Sequence, residues 1–167
     1  KMPGDEWQKF ANMRLLFAYM YAHPGSNLTF MGSELGQTME WNFNQSLDWH
    51  LLNFKPHAGL QNFVKELNTF YKNAPALYEK AFSYEGFEWI NFSDHQNSVI
   101  VFIRKGHDTP NDLILACNFT QVPRNKYRIG LPRKGSIKEV FNSDKENYYG
   151  SGMGNPNVHD HINLPII

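Results

Sequence analysis

Between Asp5 and Ala22 apolar residues return every three or four positions: Trp7, Phe10, Ala11, Met13, Leu16, Phe17 and Met20. That spacing predicts a helix with Asp5 as its N-cap. His23-Pro24-Gly25 stops it, because proline cannot continue a helix and glycine tolerates the turn. A short apolar run, Leu28–Met31, then reads as a buried strand that ends in Gly32-Ser33-Glu34. A second helix is predicted over about 58–72, with Leu60, Phe63, Val64, Leu67, Phe70 and Tyr71 on one face. Gln61, Asn62, Lys65, Glu66, Asn68 and Thr69 occupy the other, a clean amphipathic pattern.

Past Asn73-Ala74-Pro75 the period changes. Phe87–Phe92, Ser98–Arg104, Leu113–Phe119, Tyr127–Leu131 and Ile137–Phe141 are short runs rich in β-branched and aromatic residues. Turn residues at 94–97, 105–111 and 132–136 separate them, as in an antiparallel sandwich or barrel. Residues 142–160 read as a loop, and a last strand is expected from His161 to Ile167. Two domains are therefore expected, 1–73 and 74–167. A single strand between two helices lacks the parallel neighbours and covering layers that such a strand needs. The first half reads as the terminal slice of a larger α/β barrel, and the second as a self-sufficient all-β domain.

Composition narrows the partners. Aromatic residues make up 15% of the 167 positions, enough rings for a packed core. Sixteen basic and sixteen acidic residues cancel, which argues against nucleic acid or an anionic membrane as the main partner. A neutral polymer fits this balance, as do many other partners. The lone Cys117 sits in an apolar run and reads as a buried structural thiol, in keeping with a reducing cytoplasm. No run approaches the roughly 18 apolar residues of a membrane span. The chain opens at Lys1 without an initiator Met or signal peptide, as expected of a cut from a longer polypeptide.

The chemistry-bearing residues cluster after the predicted strand at 28–31. Glu34 and Asp48 flank a loop that also carries Trp41, Asn42 and Trp49. Indole faces suit stacking against the C–H faces of a pyranose ring, and the N–H remains a donor. The same two rings would equally serve to pin the loop to a barrel rim. Glu34 is expected to contact sugar or to hydrogen-bond nearby barrel groups, with a directly catalytic role disfavoured. Trp7 and Trp89 read as core. Tyr148-Tyr149-Gly150 reads as a packed loop rather than a stacking platform. His159-Asp160-His161 lacks a third or fourth metal ligand nearby and reads as solvated polarity. The Asn91-Phe92-Ser93 and Asn118-Phe119-Thr120 sequons carry little meaning in a cytoplasmic setting.

Three stretches carry a resemblance: Met-Pro-Gly-Asp-Glu-Trp-Gln-Lys-Phe-Ala-Asn at 2–12, Phe-Met-Gly-Ser-Glu at 30–34, and Trp-Asn followed by Ser-Leu-Asp-Trp-His-Leu-Leu within 41–52. With Ala22-His23-Pro24-Gly25 upstream, and Glu-Val-Phe-Asn-Ser-Asp at 139–144 downstream, the chain closely resembles the C-terminal portion of 1,4-α-glucan (glycogen) branching enzymes of the α-amylase superfamily. Ser33, Leu35 and Met39 depart from the usual residues of that loop.

The resemblance implies a (β/α)8 barrel end followed by a C-terminal β domain. It implies transfer of an α-1,4-glucan segment to a 6-hydroxyl, forming an α-1,6 branch without a cofactor or metal. The family's nucleophile, acid/base and third carboxylate precede the Met-Pro-Gly-Asp stretch, so none is expected on this chain. Glu34, Trp41, Asp48 and Trp49 remain its substrate-contact candidates, with α-glucan as the partner. The N-terminal barrel of the same polypeptide would be the second partner. Without it, exposed apolar surface would drive self-association. The alternative is a non-catalytic glucan-binding or structural β module.

Overall fold

The computed structural model describes residues 2–155 and the strand Leu164–Ile166. Helix α1 (Glu6–Ala22) starts at a capping box. The Asp5 carboxylate accepts from the Gln8 backbone N–H at 2.8 Å, and Gln8 Oε1 accepts from the Asp5 N–H at 2.9 Å. Two otherwise orphaned donors are satisfied reciprocally. Helix α2 (Lys55–Asn73) begins three residues earlier than the pattern implied, with Pro56 in its first turn, where a missing N–H costs nothing.

Helix α1 is apolar on more than one side because it is covered on two. Phe10, Phe17 and Tyr21 pack against Leu60, Phe63, Val64 and Leu67 of α2. Leu15, Tyr19 and Ala22 meet a second cluster around Phe102 and Cys117. The latter belong to an antiparallel sheet of β1 (Phe87–Asp94), β2 (Val99–Arg104) and β3 (Leu113–Asn118), in the order β1-β2-β3. β2 is the central strand, and its side chains are almost all buried. A separate two-stranded ladder joins β4 (Arg124–Tyr127) to β5 (Leu164–Ile166).

Two buried arginines join these layers. Arg104 Nη1 donates to the Ala22 carbonyl at the end of α1 (2.6 Å), Nη2 to Leu77 O (2.9 Å) and Nε to Gly86 O (3.1 Å). A cation at a helix C-terminus also meets the negative end of the helix dipole. Arg14 donates from Nε to Ser143 O (2.8 Å) and from Nη1 to the carbonyls of Tyr148 and Tyr149 (3.2 and 3.3 Å). Its Nη2 faces Asp144 Oδ1 at 3.5 Å. Burial draws both guanidinium pKa values down, and Asp144 opposes this at Arg14.

Several expectations are corrected. Leu28–Met31 forms no ladder, and Leu28, Phe30 and Met31 are 81%, 60% and 57% exposed. Among the described residues no strand lies beside it to take its backbone groups, and no layer covers its side chains. Ile137 makes only an isolated bridge, and 138–141 join no sheet. Phe141 instead packs on Phe70 and Phe63 of α2, with ring centroids 5.0 and 5.8 Å away. β4 ends where the expected Tyr127–Leu131 strand would begin, after an irregular step at Lys126 (φ 57°). Trp89 is 40% exposed rather than core, its ring packed edge-on against Phe87 and Phe102 at the border of the cluster that α1 covers (centroids 4.9 and 5.6 Å). The packed reading of the 148–150 loop holds: Tyr148 is fully buried, and its hydroxyl donates to Glu66 Oε2. His159-Asp160-His161 lies outside the described residues.

Candidate functional site

The loop between α1 and α2 is built on two left-handed glycines. Gly32 (φ 79°) and Gly36 (φ 65°) bracket a 3-10 turn at Ser33–Leu35. Leu35 and Gly36 N–H groups donate back to Gly32 O and Ser33 O, each at 3.0 Å. Gly36 is fixed by space as well as by φ. A Cβ there would lie 3.0 Å from Phe10 Cε1 and 3.2 Å from Leu60 Cδ2. Leu35 is fully buried, and its carbonyl meets buried His57 Nδ1 of α2 at 2.6 Å. The His57 ring packs edge-on against Phe10, with centroids 4.8 Å apart. Glu34, half-buried, is thus carried on a turn anchored to both helices.

Gln37 links this turn to the rest of the loop. Its N–H donates to Gly32 O at 3.2 Å, and its Oε1 accepts from the Asp48 N–H at 3.3 Å. Asp48 caps a second 3-10 turn, Trp49–Asn53, by accepting through its carbonyl from Leu51 N–H at 2.9 Å. The structure therefore gathers the Glu34 turn and Asp48 around one glutamine.

Trp41 is 43% exposed and Trp49 53% exposed. Trp41 packs edge-on against Phe30, with centroids 5.5 Å apart. Trp49 donates its indole N–H to Ser46 Oγ at 3.1 Å. Both rings are held by a local partner and keep open surface. Neighbouring Phe43, Phe54 and Met39 are also exposed, so the loop carries several open rings in the same segment as half-buried Glu34 and Asp48. Such rings can stack sugars, and such carboxylates can accept hydroxyl hydrogen bonds. Neither Gln37 nor His57 stands out in the sequence; only the proline before His57, which marks a first helical turn, hints at an anchored position.

Elsewhere, Trp7 is half-buried beside a groove and is not part of the core. Cys117 is buried in an apolar setting that pushes its thiol up to about 12, so it is no nucleophile. Asn118 is buried, donating to Val122 O (2.9 Å) and accepting from Thr120 Oγ1 (2.8 Å). No trio of His, Cys, Asp or Glu side chains converges as a metal site among the described residues, and no helix there is long and apolar enough to cross a membrane.

Residues 89–163 match the family described as alpha amylase, C-terminal all-beta domain. The chain is 54% identical over 155 residues to a 1,4-alpha-glucan branching enzyme of Synechococcus elongatus, covering 93% of this chain and 20% of the relative. The Aquifex aeolicus enzyme of the same name is also 54% identical over 155 residues, covering 25% of that relative. That of Cellvibrio japonicus is 53% identical over 157 residues, 94% of this chain and 21% of the relative. The chain spans about a fifth to a quarter of the length of the curated relatives it matches. The resemblance to one stretch of the branching enzymes runs nearly the length of this chain, and the all-beta family match lies within its second half.

Proposed function

We propose, for a chain more than half identical to one stretch of the 1,4-alpha-glucan branching enzymes, that it works as that stretch within a glucan-branching transferase. The carrying observation is the 54% identity across 93% of the chain, which takes in the whole Glu34–Trp49 loop. In this reading residues 1–73 complete a (β/α)8 barrel. Leu28–Met31 becomes its last strand once neighbouring strands are present, and the exposed Leu28, Phe30 and Met31 are then covered. Residues 74–167 form a β-sandwich domain docked on the barrel.

The reaction proceeds with retention. A carboxylate attacks C1 of an α-1,4-linked glucose while an acid group protonates the departing oxygen, giving a covalent glycosyl-enzyme. A 6-hydroxyl of another chain then attacks C1, losing its proton to the same group and releasing the carboxylate. Such a pair stands about 5–5.5 Å apart, and it is assigned to the remainder of the polypeptide. Glu34, Trp41, Asp48 and Trp49 contact the bound glucan, and no cofactor or metal is used. The setting is cytoplasmic, where Cys117 stays reduced.

Amylose incubated with this chain alone should gain no α-1,6 branches, and the longer polypeptide containing it should add them. Branches formed by the chain alone would overturn the assignment of the chemistry elsewhere. A second reading, a non-catalytic glucan-binding β module, draws on the exposed Trp89 and Phe92 of β1. Their rings are tilted by 55° and do not form one flat platform, which favours the first reading.

A further inference from the structure

The N-terminal half of α1 and the turn after β3 leave a groove of about 490 Å³ between them, within the roughly 300–1,000 Å³ of small-ligand sites. No residue of the 28–49 loop lines it. Trp7 and Phe119 provide apolar wall, and Asn12, Thr120 and Gln121 provide polar wall. Gln8 Nε2 donates to Gln121 Oε1 at 3.0 Å, which ties the helix to the turn.

The lining is selective. Trp7 and Asn12 are half-buried, and no described residue hydrogen-bonds the indole N–H or the carboxamide. The Gln121 amide nitrogen is likewise unspent. The ionised groups of the groove, Arg14 and Asp144, are buried and paired with one another. An anion therefore finds no unpaired cation, and a cation finds no unpaired carboxylate. A wholly apolar segment would strand the indole and amide donors at a desolvation cost. A neutral ligand with C–H faces and hydroxyl edges satisfies every wall.

The geometry points to a second carbohydrate site. The groove binds a short stretch of α-1,4-glucan, with a pyranose face on Trp7 or Phe119 and hydroxyls bonded to Asn12 and Gln121. It rests on the glucan reading above, although its residues are separate from the 28–49 loop. A site at this groove would hold a polymer at a distance from the reacting bond, where a branching transferase gains by retaining long chains.

The test is an NMR titration of this chain with maltoheptaose, read at the four indole N–H signals. A saturable shift at Trp7 is expected, with its apparent Kd raised roughly 2- to 10-fold by N12A and by Q121A. Sorbitol, an acyclic polyol, should leave Trp7 unmoved. Shifts at Trp41 and Trp49 with Trp7 silent would overturn the groove and leave the loop reading intact. A Trp7 shift indifferent to both variants would overturn the groove as well. Silence at all four indoles at millimolar sugar would overturn groove and loop together.

Discussion

Arg14 and Asp144 come from opposite ends of the chain and meet inside the fold, Nη2 to Oδ1 at 3.5 Å. Asp144 also accepts from Ser151, through its backbone N–H at 3.1 Å and its hydroxyl. With the three carbonyls on Arg14, this knot ties α1 to the 142–151 loop. It joins the helical half to the 142–151 loop beside the packing of Tyr148 on α2.

Breaking that knot leaves an uncompensated buried charge. Arg14→Met should cost about 3–5 kcal/mol, seen as a fall in the urea midpoint. Asp144→Asn keeps the carbonyl contacts of Arg14 and should cost less. Equal midpoints for R14M and the parent would refute the role assigned to this pair.

Gly36 sets the base of the Glu34 turn. Gly36→Ala forces a left-handed φ on alanine and crowds Phe10 and Leu60. The expected loss is about 2–4 kcal/mol, combining a left-handed residue with an overpacked contact. Thermal unfolding of the single variant checks it. An unchanged midpoint would mean that the turn relaxes freely.

Alkaline pH should weaken the fold before it touches the site. Burial and the Asp94 hydrogen bond push Tyr127 up to about 12, burial pushes Cys117 up to about 12, and Tyr148 is raised by burial and Glu66. A raised acid contributes stability that is complete below its ordinary value, for these groups about 9 to 10. That contribution is lost as pH climbs toward 12. The urea midpoint should therefore hold to about pH 9 and then fall. On the acid side, the Tyr127 and Asn97 hydrogen bonds hold Asp94 below the usual carboxylate range. Its contribution is present above about pH 4 and disappears as pH drops through the lowered value. Tyr127→Phe should move the Asp94 carboxyl upward in an NMR pH titration.

Glu34 separates a sugar contact from a reacting group. In a branching-competent polypeptide, Glu34→Gln should lower kcat/KM by roughly 10- to 100-fold, the worth of a hydrogen bond to a charged group. A loss beyond about 10⁴-fold would instead assign Glu34 to the bond-making machinery and refute its role as a sugar contact.

The readable parts of this fold are those governed by one local rule. Asp5 and Gln8 spell a capping box, α2 shows one apolar face, and β1, β2 and β3 are short apolar runs between turn residues. The unreadable parts depend on distant partners. Arg14 lies on the buried stripe Phe10-Arg14-Phe17-Tyr21, whose spacing of four, three and four is the available signal, yet its partners lie beyond residue 140. Leu28–Met31 has strand composition, but a strand needs neighbours. Phe141 leaves its expected strand for the rings of α2. In the loop, Trp41 and Trp49 are legible from residue type, whereas Gln37 and His57, which hold the loop in shape, are visible only in three dimensions.

Membership in a branching transferase is tested by the branch content of amylose treated with a chimera. In it, this chain replaces the matching 155-residue stretch of the Synechococcus elongatus branching enzyme. The predicted result is α-1,6 branches, counted by debranching and chain-length analysis, with a marked fall when Trp41 and Trp49 are both changed to Ala. A soluble, folded chimera that forms no branches would contradict it.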